Sequence, residues 1–127
     1  MLINRVLQIL ILLPALLFVV TGVRWLVAPA GVAPMFGLEL GQGVGLSSQV
    51  GDMTGFFLTL GLSMLIALIS ERRVWFYPPI MLLLFTAVGR IIAWLLHDAA
   101  FAIDLIMPEI VISLLLFVAS RRLAKQA

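Results

Sequence analysis

The sequence predicts an all-α integral membrane protein, a bundle of four transmembrane helices with both termini in the cytoplasm. Hydrophobic residues make up 64 % and charged residues 11 % of the 127 residues, against roughly 45–50 % and 25 % in soluble domains. The mean hydropathy is +1.24. A soluble fold this small leaves much of its surface in water and cannot hide so many apolar side chains. Four spans also leave no room for a soluble domain, so residues 1–127 form a single membrane domain.

The first span is predicted at about residues 5–27. Its core, Val6–Val23, carries no charge and is interrupted only by Pro14. A run of this length suits a spanning helix, which needs roughly 20 residues. The preceding Arg5 and the small residues at 28–30 also resemble a secretory signal, but the apolar run is long and a proline stands within the cleavage site. We predict a retained helix, with a cleaved signal as the alternative.

The only long loop is predicted at residues 28–48. Seven proline and glycine residues in this stretch exclude a regular helix through all of it. A short interfacial helix fits residues 33–38. Ser47 or Ser48 is expected to cap the second span, because a serine hydroxyl can accept a hydrogen bond from an unpaired backbone N–H in the first helical turn.

The second and third spans are predicted at about residues 49–70 and 75–96. The turn between them, Glu71–Arg73, is so short that the two helices must form an antiparallel hairpin. In the second span, Gly51 and Gly55 form a pair of small residues four apart, which favours close approach of a neighbouring helix.

The fourth span is predicted at about residues 101–119, and it carries two acids, Asp104 and Glu109. Centrally placed acids cost about 2.5–3.5 kcal/mol on insertion scales, but the apolar tail of this segment retains it as a span. We place Asp104 near the outer surface. In the third span, Pro78 and Pro79 are expected in the first helical turn, where proline is tolerated.

Basic residues predict the orientation, because cytoplasmic segments of membrane proteins are enriched in Lys and Arg. Six of the eight fall on one side of the predicted spans: Arg5, Arg72, Arg73, Arg121, Arg122 and Lys125. This side, with both termini, is predicted to be cytoplasmic. Aromatic residues near the span ends fit an interfacial belt: Trp25, Trp75, Tyr77 and Trp94.

The candidate site is a set of polar residues in the outer half of the membrane, which we call the polar cluster: Arg24, Gln49, Asp52, Arg90 and Glu109. Charged side chains within a span usually face a partner or a cavity. Each span contributes one charge, and the four charges cancel, so a neutral cluster between the helices is predicted. Helical spacing adds four secondary residues on the same faces: Thr21, Thr86, His97 and Ser113.

Structural explanations compete with this interpretation. Arg24 lies near a span end and can extend its head into the lipid head groups. Asp52 is also explained as an acid favoured by the positive end of a helix dipole. The two deeper charges, Arg90 and Glu109, are predicted to form a buried pair. His97 is interpreted as an interfacial loop residue rather than as a ligand or proton relay.

Several chemistries have no counterpart in the sequence. It has no cysteine and one histidine, which excludes thiol chemistry and any two-histidine metal site within the chain. The glycines at 41, 43 and 45 are not followed by the lysine of a phosphate loop. No catalytic residue, metal site, tightly held cofactor or nucleic-acid partner is predicted.

A family resemblance rests on motifs distributed along nearly the whole chain: Arg24-Trp25 with Pro29, Ser47-Ser48-Gln49-x-Gly51-Asp52, Gly89-Arg90 and Glu109. The chain resembles a bacterial family of small four-helix membrane proteins of unknown function, similar to the DoxX-like membrane proteins. This resemblance implies a four-helix bundle in the inner membrane and no particular activity. Some DoxX-like relatives are associated with quinone-linked oxidation, but redox cysteines cannot be carried over to a chain without cysteine.

Three functions follow from these observations. The first is a non-enzymatic module in which the polar cluster binds an amphipathic ligand, such as a lipid or quinone, or organises an assembly with a membrane-protein partner or a second copy. The second is a small proton-coupled transporter that uses the intramembrane carboxylates. The third, an integral enzyme with Asp52 or Glu109 as acid or base, has no support beyond the carboxylates. We predict the first.

Overall fold

The computed structural model describes residues 1–125, and all of their regular elements are helices. Four of these are long, and two short 3₁₀ turns precede α3 and α4. The elements in chain order are α1 (Leu2–Val27), α2 (Pro29–Val32), a 3₁₀ turn (Ala33–Phe36), α3 (Val44–Ser70), a second 3₁₀ turn (Arg73–Phe76), α4 (Tyr77–Leu96) and α5 (Ile103–Arg122).

The prediction of four spans is confirmed, because α1, α3, α4 with its preceding turn, and α5 are each long and apolar enough to cross a membrane. These helices support a multi-pass membrane protein. Most of their apolar side chains point outwards, for example Leu17 at 61 % and Phe85 at 68 % exposure. Such a surface is stable against lipid tails and unstable against water.

The loop between α1 and α3 is shorter than predicted and folds back on the bundle. It holds α2 and the first 3₁₀ turn, which ends at Gly37 with a left-handed φ of 69°. Helix α3 then begins at Val44, several residues before the expected start, after Gly43 at φ 57°. The predicted serine cap is therefore wrong: Ser47 and Ser48 lie within the helix, whose N-terminus has no side-chain cap.

The prediction that Trp25 belongs to the interfacial aromatic belt is wrong. Trp25 is fully buried rather than interfacial, because α2 and the following turn cover it with Val32 and Ala33. Its indole N–H has no hydrogen-bond acceptor within residues 1–125. Trp75 and Trp94 keep 37 % and 45 % exposure, as a belt requires.

Helices α1 and α3 form the most extensive contact, and glycine makes it close. A β-carbon on Gly61 would stand 2.7 Å from the Ala15 carbonyl oxygen, and one on Gly22 would stand 2.8 Å from the Leu58 side chain. The predicted pair is wrong, because a β-carbon on Gly51 or Gly55 would meet nothing within 4 Å. Small residues thus act at the helix crossing, but at positions that spacing alone did not identify.

The two ends of the bundle differ in charge. At one end, the N-terminus of α1, the α3–α4 turn and the C-terminus of α5 meet; we call this the basic end. Arg122 Nε donates to Asn4 Oδ1 at 3.3 Å and Arg73 Nε donates to the Ser120 carbonyl at 3.1 Å. Pro78 and Pro79 lie in the first turn of α4, as predicted. The opposite end, which carries the 28–43 loop and the α4–α5 connection, is the loop end.

Candidate functional site

An ion pair between Arg90 and Glu109 joins α4 to α5. Arg90 lies six residues before the end of α4, and Glu109 lies six residues after the start of α5. In antiparallel neighbours this places both about 9 Å from the loop end. Arg90 Nε donates to both Glu109 oxygens, at 2.9 and 3.1 Å. The predicted pair forms, but it is half-buried rather than buried, with 28 % and 12 % side-chain exposure.

Within residues 1–125, the two terminal nitrogens of Arg90 donate no hydrogen bond. A guanidinium has five N–H donors, and only the Nε donor has an acceptor among residues 1–125. Neither flanking hydroxyl accepts a hydrogen bond from Arg90 within residues 1–125: Thr86 Oγ1 donates to the Leu82 carbonyl and Ser113 Oγ to the Glu109 carbonyl, both at 2.6 Å. Four charged N–H donors are therefore free to meet acceptors from outside the chain.

Arg24 and Gln49 form hydrogen bonds to the loop between α1 and α3 and none to the Arg90–Glu109 ion pair. Arg24 donates to the Gly31 carbonyl at 3.2 Å and to the Met35 sulfur at 3.4 Å. Gln49 donates to the Glu39 carbonyl at 2.9 Å and accepts from the Gly41 N–H at 2.7 Å. These bonds fasten both halves of the loop to α1 and α3.

The remaining members of the predicted set lie apart from one another. Asp52 is exposed on α3 and forms no ion pair within residues 1–125. His97 is exposed at the end of α4, and Thr21 donates to the Leu17 carbonyl of its own helix at 2.8 Å. The prediction of one buried cluster of four charges is therefore wrong, because Arg24 turns to the loop and no charge of the set is fully buried.

Three cavities adjoin the ion pair, and each is lined by both Arg90 and Phe36. The inner cavity, about 110 Å³, lies among all four long helices and also touches Glu109. The side cavity, about 310 Å³, opens between α3 and α4 and also touches Asp52. The loop-end cavity, about 610 Å³, lies between Phe36 and residues 99–105. Ligand sites typically occupy about 300–1,000 Å³ and combine apolar walls with few polar groups.

Phenylalanine side chains form the walls of the inner and side cavities. The ring centroids of Phe36 and Phe57 are 5.2 Å apart, and Phe56 meets Phe57 edge-on at 5.0 Å. Phe18 of α1 stands 6.1 Å from Phe57. The sequence reasoning missed these residues. The available signal was the position of Phe56 and Phe57 one turn after Asp52, but an aromatic residue in an apolar span is indistinguishable from ordinary packing.

The described residues hold no group of three or more His, Cys, Asp or Glu side chains that could bind a metal ion. Comparisons with protein-family models, with curated proteins and with solved structures give no match. The fold and the site therefore define the protein by class: a multi-pass membrane protein of four long helices, with an ion pair at the junction of three cavities.

Proposed function

We propose that the protein is a non-enzymatic membrane module that binds an amphipathic ligand at Arg90. One observation carries the proposal: the terminal N–H groups of Arg90 have no acceptor among residues 1–125, and Arg90 borders all three cavities. The Arg90 side chain is 28 % exposed, so its terminal N–H groups are accessible to a ligand, and lipid tails at this depth offer them no acceptor. A ligand head that brings acceptor oxygens satisfies them, while its apolar body lies against the phenylalanine walls.

The charge balance favours a neutral head, as in a quinone, over an anionic lipid phosphate. Glu109 already offsets the charge of Arg90, and the Asp52 carboxylate borders the side cavity. Asp104 also borders the loop-end cavity, so an anionic head would meet a site with an excess of negative charge, and like charges repel strongly where the dielectric constant is low. A ring with carbonyl oxygens accepts from Arg90 without adding charge, and its flat face suits aromatic walls.

The setting we propose is the inner membrane of a bacterium, with the basic end in the cytoplasm. Six of the eight Lys and Arg residues of the chain lie at that end, as the positive-inside rule requires. The hydrogen bond from Arg122 Nε to Asn4 Oδ1 joins the end of α5 to the start of α1 at the basic end, which supports the same orientation for both helix ends. The cavities then open towards the outer leaflet, where a bilayer-dissolved ligand reaches them. A membrane-protein partner or a second copy would contact the exposed apolar faces of the helices.

Proton-coupled transport is the competing function. It needs a carboxylate that exchanges protons with both aqueous phases. Both oxygens of Glu109 lie on the Arg90 Nε–H, so a proton carrier at this position would have to break the ion pair in every cycle. Binding is favoured for this reason. If the protein shows proton-coupled flux in proteoliposomes and Glu109→Gln abolishes it, the function is transport rather than binding.

The test is binding of a benzoquinone with a decyl chain to the purified protein in mild detergent, measured by quenching of tryptophan fluorescence. We compare the wild type with Arg90→Gln and with Arg121→Gln, a charge-matched control exposed at the basic end. Hydrogen bonds to charged groups contribute about 1.5–3 kcal/mol each, so Arg90→Gln should weaken binding at least tenfold. Equal affinity of Arg90→Gln and the wild type would refute the proposal.

A further inference from the structure

A groove lies between α1 and α3 at the basic end, far from the cavities that border Arg90. Its volume is about 320 Å³. Arg5 and Gln8 supply the polar part of its lining, and the other residues are aliphatic: Ile9, Leu12, Leu68 and Ile69. The groove thus joins a cation and an amide to aliphatic side chains on the outer surface of the helices, such as Ile9 at 53 % and Ile69 at 82 % exposure.

The Arg5 side chain has no hydrogen-bond or ion-pair partner within residues 1–125, whereas three of its basic neighbours do. Lys125 forms an ion pair with Glu71 at 3.1 Å, which is the only acid of the basic end. Arg73 and Arg122 donate to the Ser120 carbonyl and to Asn4. Arg72 is also without a side-chain partner within residues 1–125, but of these two arginines only Arg5 lines the groove. Arg5 is exposed there, so its charge is available to an occupant of the groove.

We infer that this groove binds a phospholipid with an anionic head group. The phosphate accepts from the Arg5 guanidinium and the Gln8 amide, and one acyl chain lies against the four aliphatic side chains. Charge complementarity selects this occupant, because the basic end carries six basic residues and one acid that is already paired. Basic pockets between helices on the cytoplasmic side are suited to anionic head groups.

The lipid groove takes the cytoplasmic orientation of the basic end from the proposed function, but it does not depend on ligand binding at Arg90. The groove shares no lining residue with the cavities that border Arg90. The two sites also select opposite ligands, since the Arg90 site has an excess of negative charge and the groove has an excess of positive charge. Either site can therefore fail its test while the other passes.

The experiment is native mass spectrometry from mild detergent with added phosphatidylglycerol or phosphatidylcholine of identical acyl chains. The wild type should retain the anionic lipid at least fivefold better. Each Lys or Arg near an anionic lipid surface contributes about 1 kcal/mol, so Arg5→Gln should lower retention about fivefold. Arg121→Gln, which removes the same charge outside the groove, should lower it less than twofold.

A second variant keeps every charge and fills the groove. Leu12→Trp places a larger side chain where the acyl chain would lie, and it should also lower retention of phosphatidylglycerol at least fivefold. Equal losses in Arg5→Gln and Arg121→Gln would overturn the inference, because they would indicate diffuse attraction rather than a groove. If Arg5→Gln does not fold, Leu12→Trp decides, and unchanged retention in that variant would overturn the inference as well.

Discussion

Replacing Gly61 by alanine tests the close packing of α1 on α3. Both helices line the inner cavity. A β-carbon on Gly61 would stand 2.7 Å from the Ala15 carbonyl oxygen and 2.9 Å from the Val19 backbone nitrogen. Both are backbone atoms of α1 and cannot rotate away, so the helices have to separate locally. Gly55 on the same helix is the matched control, because a β-carbon there meets nothing within 4 Å.

The expected magnitude follows from two opposing terms. Overpacking costs about 1–3 kcal/mol, and a contact with rigid backbone belongs at the upper end of that range. Alanine also regains about 1 kcal/mol of helix propensity over glycine. Gly61→Ala should therefore lower the free energy of unfolding by about 2 kcal/mol. Gly55→Ala should raise it by up to about 1 kcal/mol.

The assay is unfolding in detergent micelles by titration with dodecyl sulfate, followed by the loss of helical circular dichroism. The difference between the two variants, about 3 kcal/mol, is larger than either shift alone and cancels effects common to alanine substitution. A Gly61→Ala protein at least as stable as Gly55→Ala would refute the packing argument.

Three further substitutions probe the site. Gln49→Ala removes two hydrogen bonds from the loop, at 2.7 and 2.9 Å. At about 1 kcal/mol per bond, amide hydrogens at 39–43 should exchange about thirtyfold faster by mass spectrometry, and unchanged exchange would contradict the role of Gln49 in holding the loop. Phe36→Ala removes a ring shared by all three cavities and should weaken quinone binding about threefold to tenfold, from about 0.5–1.5 kcal/mol per aromatic pair, whereas full affinity in the quenching assay would exclude Phe36 from the site. Glu109→Gln leaves Arg90 without its counter-charge, so the site should retain anionic phospholipid better than the wild type in native mass spectrometry, and equal retention would contradict the charge argument.

The number of spans was predictable because it depends on local composition. A run such as Val6–Val23 has to be a spanning helix in lipid, where every backbone polar group must be bonded internally. The Arg90–Glu109 pair was predictable for a related reason: both lie at the same depth from a shared connection, and a charge at that depth needs a partner. The incomplete burial of this ion pair could not be predicted, because the exposure of the two side chains depends on the distance between the helices.

The loop and the helix crossings were beyond local reasoning. Arg24 was assigned to the polar cluster because the sequence indicates only its depth in the membrane. Its hydrogen-bond partners, Gly31 and Met35, are determined by how the loop folds back on the bundle. The same fold-back buries Trp25 and brings Phe36 to the ion pair. Gly61 acts at the crossing of α1 and α3, a position that neither spacing nor composition reveals.

The central claim is that a neutral amphipathic ligand lies against Arg90 between the phenylalanine walls. Photolabelling with an azido-benzoquinone that carries an alkyl chain, followed by mapping of the adducts by mass spectrometry, tests it most directly. We predict adducts concentrated at Phe36, Phe56 and Phe57 that disappear in Arg90→Gln. Adducts spread over lipid-facing residues such as Leu17 and Phe85, and unchanged by Arg90→Gln, would contradict the account.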